Sequence, residues 1–398
     1  MSRLTFSFHA KPVSQRAGAI LSILLLGLLA LSGGCSKSSD GKGKEAGDIL
    51  IGHFASMTGS TATFGQSTDR GIRMAAEAIN ARGGVLGGRK IVVITEDNQG
   101  KPDEAVNAAL KLINQNRVSA LLGEVASSRS LAVAPIAQQA RVPMLTPSST
   151  NPKVTEVGDF IFRSCFIDPF QGSAMASFAV NDLGLKKFAV FTDIKNDYST
   201  GLAKFFKDKV VELGGEIVAD ESYSEGDVDF RAQLTSIRSK NPDAIFIPGY
   251  YTEFGLIARQ ARALGITVPF LGGDGWDSDK TYEIGGDAIN GGYYSNHYSP
   301  EDQRPEVVAF IEEYRSRYGS TPDAMAVLGY DAMLMMADAI ERAGSADRQS
   351  IRDALAATKD FKGVAGHITM DEGRNALKPL VVLKIEDGKS KFVKQIEP

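Results

Sequence analysis

The stretch that decides the fold is residues 118–150, VSALLGEVASSRSLAVAPIAQQARVPMLTPSST. An apolar run is followed by a polar loop, a segment of helix length and a second apolar run that stops at hydroxyl-bearing residues. Residues 242–277, PDAIFIPGYYTEFGLIARQARALGITVPFLGGDGWD, repeat this order and share IAQQAR with IARQAR and VPML with VPFL. We therefore predict two similar lobes, each built around one strand–loop–helix–strand unit.

Short apolar runs alternate with helical patterns along most of the chain from Asp48 onward. The segment 66–82 places its apolar residues on one helical face and ends at two glycines, while Pro102 can open the next helix. Alternation of this kind predicts an α/β fold of two Rossmann-like lobes with parallel central sheets. The strand-like runs are ILIGHFA (49–55), KIVVITE (90–96), KKFAVFT (186–192), EIVADESY (216–223), DAIFIPG (243–249) and VPFLGG (268–273).

Four loops are expected to meet between the lobes, because ligands of parallel sheets bind beyond the carboxyl ends of the strands. These loops are 124–130, 146–152, 250–254 and 272–278. Hydroxyl groups dominate the first two loops, whereas an acid and aromatic rings dominate the other two. The loops are therefore chemically complementary.

An α-amino acid would suit these loops, because its carboxylate needs donors and its ammonium group needs acceptors. Ser127 and Thr150 can donate to the carboxylate, and Asp274 can pair with the ammonium. Each residue has a plainer alternative: Ser127 could cap a helix, and Asp274 could be a solvated turn acid. An apolar ligand side chain is expected to contact the aromatic residues Phe64, Tyr198, Tyr250 and Trp276. Phe64 could instead belong to the core.

Signatures of catalysis and of cofactor binding are weak. No GxGxxG follows the first strand, and GGVLGGRK (83–90) lacks the spacing of a phosphate-binding loop. The loop serines lie in no GxSxG and have no histidine in the other loops, so they are weak nucleophiles. His53, His297 and His367 are far apart and are interpreted as surface or structural residues. We therefore predict a protein that is not an enzyme and that uses neither a metal nor a cofactor.

The first 34 residues have the pattern of a secretory signal: a basic start, the uncharged apolar run 17–31 and small residues before Cys35. That run is short for a membrane span. LSGGC resembles the cleavage box of bacterial lipoproteins, which implies a lipid on Cys35; the alternative is ordinary cleavage that leaves a free cysteine. The polar segment 35–47 is predicted to be a flexible tether.

The charge balance excludes some partners. Removal of the signal takes away three of the 44 basic residues and none of the 48 acidic ones, which leaves a net charge of −7. That charge argues against nucleic acid or an anionic membrane surface as the partner. Cys165 is expected to be a small core residue, because no internal disulfide can form if Cys35 carries a lipid.

Several segments together resemble the periplasmic leucine/isoleucine/valine-binding family, the substrate-binding component of branched-chain amino acid ABC transporters. The resemblance covers the chain after residue 47 and implies the type I periplasmic-binding-protein fold, in which the chain crosses three times between two lobes. It rests on SMTGSTATFGQS, AINARGGVLGGRKIVVITED, VSALLGEVASS, VPMLTPSSTNP, FIFRSCFIDPFQG, NDYSTG and GGDGW.

The resemblance also implies roles for individual residues. The residues at Ser127, Ser148 and Thr150 would hold the ligand's carboxylate and ammonium groups, and the acid at Asp274 would complete the ammonium site. Tyr250 would add a hydroxyl, while Phe64 and Tyr198 would line the side-chain pocket.

The sequence departs from the best-known members of the family, and the departures leave the choice of ligand open. Those members have Tyr at Phe64, Ala at Ser148 and Glu at Asp274, and they carry a disulfide in the first lobe. Trp276 also lies close to the acid in sequence.

The implied protein is an exported, lipid-anchored monomer on the periplasmic or cell-surface side of a bacterial membrane, which passes an amino acid to a permease. The alternatives are a receptor for an amide, a urea or an aromatic acid, and a ligand-sensing domain. We place the crossings near Asp168-Pro169, Tyr298–Pro300 and Pro379. The predicted lobes are then 48–168 with 299–378, and 169–298 with 379–398.

Overall fold

The computed structural model of the protein describes residues 47–398. The predicted signal (1–34), Cys35 and all of the predicted tether except Gly47 lie outside the described residues. Within residues 47–398, no helix is both long enough and apolar enough to cross a membrane.

The first sheet contains five described strands in the order β2-β1-β3-β4-β5, and all of its pairings are parallel. Strands alternate with helices, as the sequence pattern predicted. The run ILIGHFA is the first strand, and Pro102 occupies the first position of the second helix. The elements are β1 (Ile49–Ala55), α1 (Ala62–Ala81), β2 (Ile91–Asp97), α2 (Pro102–Asn114), β3 (Ala120–Leu122), α3 (Ser127–Gln139), β4 (Met144–Thr146), α4 (Lys153–Glu156) and β5 (Ile161–Arg163).

The next elements build the centre of a second sheet, again with alternating strands and helices. They are α5 (Asp168–Ser177), β6 (Lys187–Asp193), α6 (Asp197–Glu212), β7 (Glu216–Tyr223), α7 (Arg231–Ser239), β8 (Ala244–Phe246), α8 (Tyr251–Ala263), β9 (Phe270–Gly272), α9 (Asp279–Gly285) and β10 (Tyr293–Asn296). The remaining elements are α10 (Pro305–Tyr318), α11 (Ala324–Ala343), α12 (Arg348–Ala356), β11 (Phe361–Gly363), β12 (Gly366–Met370), β13 (Ala376–Leu377), β14 (Leu380–Glu386) and β15 (Lys389–Ile396).

The second sheet has the order β15-β14-β10-β9-β8-β6-β7 over its described strands. Its centre is parallel as predicted, but β14 pairs antiparallel with both β10 and β15. The two-residue turn that joins β14 to β15 consists of Asp387 and Gly388, whose φ angles are 49° and 69°. Two consecutive positive φ angles suit a tight hairpin, because such a turn matches the twist of the flanking strands. The antiparallel edge was not predicted.

Both sheets are covered by helices on each face, so their strands are buried on both sides. In the first sheet, α1, α11 and α12 pack on one face and α2 and α3 pack on the other. In the second sheet, α5 and α6 cover one face and α7 and α8 cover the other. We call the elements packed on the first sheet the first lobe and those packed on the second sheet the second lobe.

Helices α1 and α11 approach each other so closely that glycine is required on both. A Cβ atom at Gly71 would lie 2.0 Å from the carbonyl oxygen of Ala326, and one at Gly329 would lie 2.4 Å from that of Thr68. These contacts are with backbone atoms, which cannot rotate away. The two glycines therefore fix how deeply α11 sits against the first lobe.

Within residues 47–398 the chain passes between the two larger sheets three times: after β5, after β10 and before β14. Between the last two passes, α11 and the small sheet of β11, β12 and β13 pack with the first lobe. The boundaries proposed from the sequence at residues 168, 298 and 378 remain predictions.

Candidate ligand-binding site

The loop after β4 contains two kinds of hydroxyl group. The Thr146 hydroxyl donates to the Glu124 carbonyl at 2.6 Å and accepts from the Ser149 amide at 2.9 Å, while the Ser149 hydroxyl donates to the same carbonyl at 2.8 Å. The hydroxyls of Ser148 and Thr150 are equally buried but have no hydrogen-bond partner among the described residues. The first pair therefore builds the loop, and the second pair is free to bind a ligand.

Two buried ionisable side chains hold these loops in place. The Arg163 guanidinium donates to the carbonyl oxygens of Ser149 and Asn151 at 2.5 and 2.8 Å. The Glu124 carboxylate accepts from the amide of Ala126 at 2.7 Å and from that of Ser56 at 2.9 Å. Charge-assisted bonds to the backbone fix the loops more firmly than neutral bonds would.

Ser127 is the first residue of α3, but its side chain makes no capping bond within the helix. Its hydroxyl instead accepts from the amide of Asn151 at 3.2 Å and so joins the two hydroxyl-rich loops. The predicted alternative, a helix cap, does not describe this contact. Ser127, Ser148 and Thr150 thus lie on two adjoining loops of the first lobe.

Asp274 lies in the second lobe, in a short 3₁₀ turn directly after β9. Its Oδ1 accepts from the Gln171 amide at 2.7 Å and from the Tyr198 hydroxyl at 2.9 Å. Its Oδ2 lies 3.0 Å from Nε2 of His297. The carboxylate is buried, so it is not the solvated turn acid that was the alternative prediction.

Three of the four predicted aromatic residues come together. The rings of Tyr198 and Tyr250 stack with centroids 5.4 Å apart, and Phe64 meets Tyr250 edge-on at 5.4 Å. Phe64 comes from α1 in the first lobe, whereas the two tyrosines come from the second lobe. This aromatic group therefore spans both lobes, next to the hydrogen bond from Tyr198 to Asp274.

The structure does not bring Trp276 to this group. Its indole stacks on Phe254 with centroids 3.4 Å apart, and its N–H donates to the carbonyl of Ile247 at 3.1 Å. The ring fills the core between the second sheet and α8. Trp276 follows Asp274 by two residues in sequence, but its side chain packs within the core of its own lobe.

Direct hydrogen bonds connect the loops of the two lobes. The Asn151 side-chain amide donates to the Asp197 carbonyl at 2.7 Å, and the Asp197 amide donates to the Ser128 hydroxyl at 2.9 Å. Farther out, Glu225 of the second lobe accepts from Ser60 at 2.8 Å and from Arg129 at 3.1 Å. The hydroxyl-rich loops therefore lie beside the segment that carries Tyr198.

A second buried acid, Asp168, lies beside the hydroxyl-rich loop, where its amide donates to the Thr150 carbonyl at 3.0 Å. Neither of its carboxyl oxygens has a partner among the described residues. Burial raises the pKa of Asp168 to about 8; the nearby Thr150 hydroxyl opposes this shift, and the charge of Asp274 adds to it. At neutral pH Asp168 therefore mainly keeps its proton.

Gln171 and His297 were missed by the sequence analysis. His297 was interpreted as a surface or structural residue, yet its ring contacts Asp274 and stacks on Phe166 at 3.9 Å. The only signal available was position: each lies within three residues of a predicted crossing between the lobes. His53 and Cys165 are buried as expected of structural residues, and burial raises the pKa of the Cys165 thiol to about 12.

No group of three or more His, Cys, Asp or Glu side chains within residues 47–398 is arranged to hold a metal ion. The chemistry of the site is that of hydrogen bonding and charge pairing. It offers hydroxyl donors on one side, a carboxylate on the other, and aromatic rings between the lobes.

The described residues form two sheets with parallel centres, and the chain crosses between these sheets three times. Polar loops meet where the sheets face each other. These features define the class of type I periplasmic-binding-protein folds. A sequence model of the family described as periplasmic binding protein matches residues 48–390. The chain belongs to this family.

Individual relatives agree with this assignment. The Leu/Ile/Val-binding protein BraC3 of Rhizobium johnstonii is 31% identical over 82% of this chain and 88% of its own length. The crystal structure of a leucine binding protein, LivK, from Thermotoga maritima superposes with a TM-score of 0.85 at 45% identity and covers 88% of this chain and 99% of that one. LivJ of Streptococcus pneumoniae, solved in complex with isoleucine, gives 0.84 at 34% identity over 88% of this chain and all of that one.

The resemblance to leucine/isoleucine/valine-binding proteins drawn from the sequence is therefore confirmed, and so is the predicted fold class. The family consists of substrate-binding transport proteins rather than enzymes, in agreement with the prediction. Membership implies an exported protein that works with an ABC transporter permease.

Proposed function

We propose that the protein captures an aliphatic amino acid, most simply leucine, isoleucine or valine, between its two lobes and delivers it to an ABC importer. The observation that carries this proposal is the pair of buried, unpartnered hydroxyls of Ser148 and Thr150. Burying a hydroxyl without a partner is costly, so these two groups fit a ligand that supplies the missing bonds.

The remaining contacts fit the two charged groups of an amino acid. The ligand's carboxylate would be bound by Ser127, Ser148 and Thr150. These residues would also contribute to binding of the ammonium group, and Asp274 would pair with it. Phe64, Tyr198 and Tyr250 would enclose the apolar side chain. The lobe boundaries 48–168 with 299–378 and 169–298 with 379–398 belong to the same proposal, because the lobes would close around the ligand by rotation at the crossings.

The protein would be held at the membrane surface as a monomer by a lipid on Cys35. Fractionation of cells that produce the full chain tests this part. We expect the protein in the membrane fraction and its Cys35→Ala variant outside it. A wild-type protein that is recovered entirely in the soluble fraction would contradict lipidation.

The ligand is tested by a thermal-shift screen of the purified mature protein against all amino acids, a panel of amides and ureas, and benzoate. We expect stabilisation by branched-chain amino acids. Asp274→Ala should abolish their binding in calorimetry while circular dichroism stays unchanged. Stabilisation by compounds without an amino group alone, or unchanged affinity in Asp274→Ala, would overturn the proposal.

A further inference from the structure

All three side chains that donate to Asp274 are neutral. They are a carboxamide, a phenol whose pKa burial raises well above its usual value, and an imidazole whose pKa burial lowers. The Nδ1 of His297 has no partner among the described residues, and a carboxylate can only accept. The ring proton that meets Asp274 is therefore on Nε2.

No lysine or arginine within residues 47–398 forms an ion pair with Asp274; its contact with His297 is its only pairing with a basic side chain there. Three donors, none of them a cation, point at this buried carboxyl group. The ammonium group of a ligand could therefore pair with Asp274 directly.

The packing fixes the two newly identified donors. The Gln171 amide nitrogen also donates to the Ser295 hydroxyl at 3.0 Å, and the His297 ring is held by its stack on Phe166. A Cβ atom at Gly273 would lie 2.3 Å from the Tyr198 hydroxyl and 3.0 Å from the Gln171 amide nitrogen. The glycine before Asp274 thus lets these donors reach the carboxylate.

We propose that Gln171 and His297 are positioning residues that hold the Asp274 carboxylate oriented toward the ligand, and that they thereby favour ligands with an amino group. This inference rests on the proposed function and deepens it by naming the residues that support Asp274. The nearby Asp168 is mainly protonated at neutral pH, so it would compete little with Asp274 for an ammonium group. A carboxylic acid that lacks an amino group would leave the Asp274 side chain without a positively charged partner from the ligand.

The experiment compares L-leucine with 4-methylpentanoate, which is leucine without its amino group, by titration calorimetry. We expect the wild-type protein to bind leucine at least about a hundredfold more tightly than 4-methylpentanoate, because an unpaired buried charge is costly. His297→Phe keeps the ring stack but removes the donor, and Gln171→Leu removes the amide. Each should weaken leucine binding by about tenfold or more, since a hydrogen bond to a charged group is lost.

His297→Gln serves as the conservative rescue, because a glutamine amide nitrogen can replace the imidazole Nε2–H donor. It should retain leucine affinity within about threefold of wild type. The matched control is His53→Phe: His53 is another buried histidine paired with an aspartate, with Nδ1 3.1 Å from Oδ1 of Asp69. That variant should lower the ligand-free Tm and leave leucine affinity unchanged.

The outcomes separate the two proposals. If wild type binds leucine but His297→Phe and Gln171→Leu bind it equally well, the positioning role is wrong and the proposed function stands. Equal losses in His297→Phe and His297→Gln would also overturn it, because the donor supplied by glutamine would then fail to restore leucine binding. If wild type binds no amino acid, both proposals fail. If it binds leucine and 4-methylpentanoate equally tightly, the preference for an amino group is wrong and the proposed function stands.

Discussion

At the scale of the residue, the site depends on which polar groups are already satisfied. Thr146 and Thr150 lie in the same loop and both are buried, yet of these two hydroxyls only that of Thr146 is hydrogen-bonded to the part of the chain that the structure describes. The same substitution should therefore have opposite consequences at the two positions.

Thr150→Val should weaken leucine binding by about tenfold and leave the ligand-free Tm equal to or above that of wild type. The valine removes a hydroxyl that makes no hydrogen bond of good geometry within residues 47–398, so no backbone group there loses a partner. Calorimetry and thermal unfolding monitored by circular dichroism measure the two effects.

Thr146→Val is the matched control and should lower Tm, because the Ser149 amide and the Glu124 carbonyl both lose a buried partner. A cost of about 1–3 kcal/mol is typical of a buried group left without its bond. If both variants lower Tm alike and neither affects leucine binding, the division of the loop into structural and binding hydroxyls is incorrect.

At the scale of the element, the crossing of α1 and α11 is set by glycine. Gly71→Ala should reduce the free energy of unfolding by about 1–3 kcal/mol, even though alanine favours helix, because its Cβ would press on the Ala326 carbonyl. Urea unfolding measures the change. The control Glu77→Ala, on the exposed side of α1, should alter the free energy of unfolding by less than about 0.5 kcal/mol. If Gly71→Ala stabilises the protein, the two helices can move apart without cost and the prediction is wrong.

The strand and helix pattern was largely predictable because it depends on the local spacing of apolar residues along the chain. The runs 49–55 and 216–223 are strands with the same bounds in the structure. The hairpin of β14 and β15 was missed, although Asp387-Gly388 between two apolar-containing runs is a hairpin signal. Its pairing with β10 joins Tyr293 to Lys384 and Asn296 to Val381, which are far apart in sequence, and local pattern carries no information about such a contact.

Site prediction failed where the contact was nonlocal. Asp274 could be found from its position after a strand, but Gln171 meets it from 103 positions away. Trp276 was assigned to the site because it is near Asp274 in sequence, and the structure turns its ring into the core. Loop position made Ser148, Thr150 and Asp274 candidates, which remain predictions, whereas the donors around Asp274 depend on how the chain folds over long distances.

At the scale of the whole molecule, contacts between the lobes contribute to ligand affinity if they form only on closure. Glu225→Ala should reduce leucine affinity by roughly three- to tenfold in calorimetry, because Arg129 and Ser60 lose their partner in the other lobe. Glu212→Ala, which breaks an exposed ion pair within one lobe, should have no effect. Equal affinities in the two variants would exclude Glu225 from the closing contact.

Buried acids should make the ligand-free protein less stable as pH rises. The pKa of Asp168 is raised by burial to about 8, so between about pH 4 and 8 the folded state keeps a proton that the unfolded state releases. Stability contributed by this group is therefore lost as pH rises through that window. Asp168→Asn should raise Tm at pH 8 and change it less at pH 5, as measured by circular dichroism.

The control for this pH effect is Asp229→Asn. A hydrogen bond from Arg231 lowers the pKa of Asp229 to about 2, so this acid is ionised in both states from pH 5 to 8. Its replacement should shift Tm by the same amount at both pH values. A shift in Asp168→Asn that is likewise independent of pH would show that Asp168 does not hold a proton in the folded state.

The chain contains one tryptophan, Trp276, and its indole is stacked inside the second lobe. Ultraviolet emission from the intact protein therefore comes mainly from a fluorophore that neither the ligand nor the first lobe is expected to contact. Such emission would follow melting of one lobe and stay constant during a ligand titration. A tryptophan introduced at Phe64 would instead place a second fluorophore between the lobes, and comparison of the two would separate closure from unfolding.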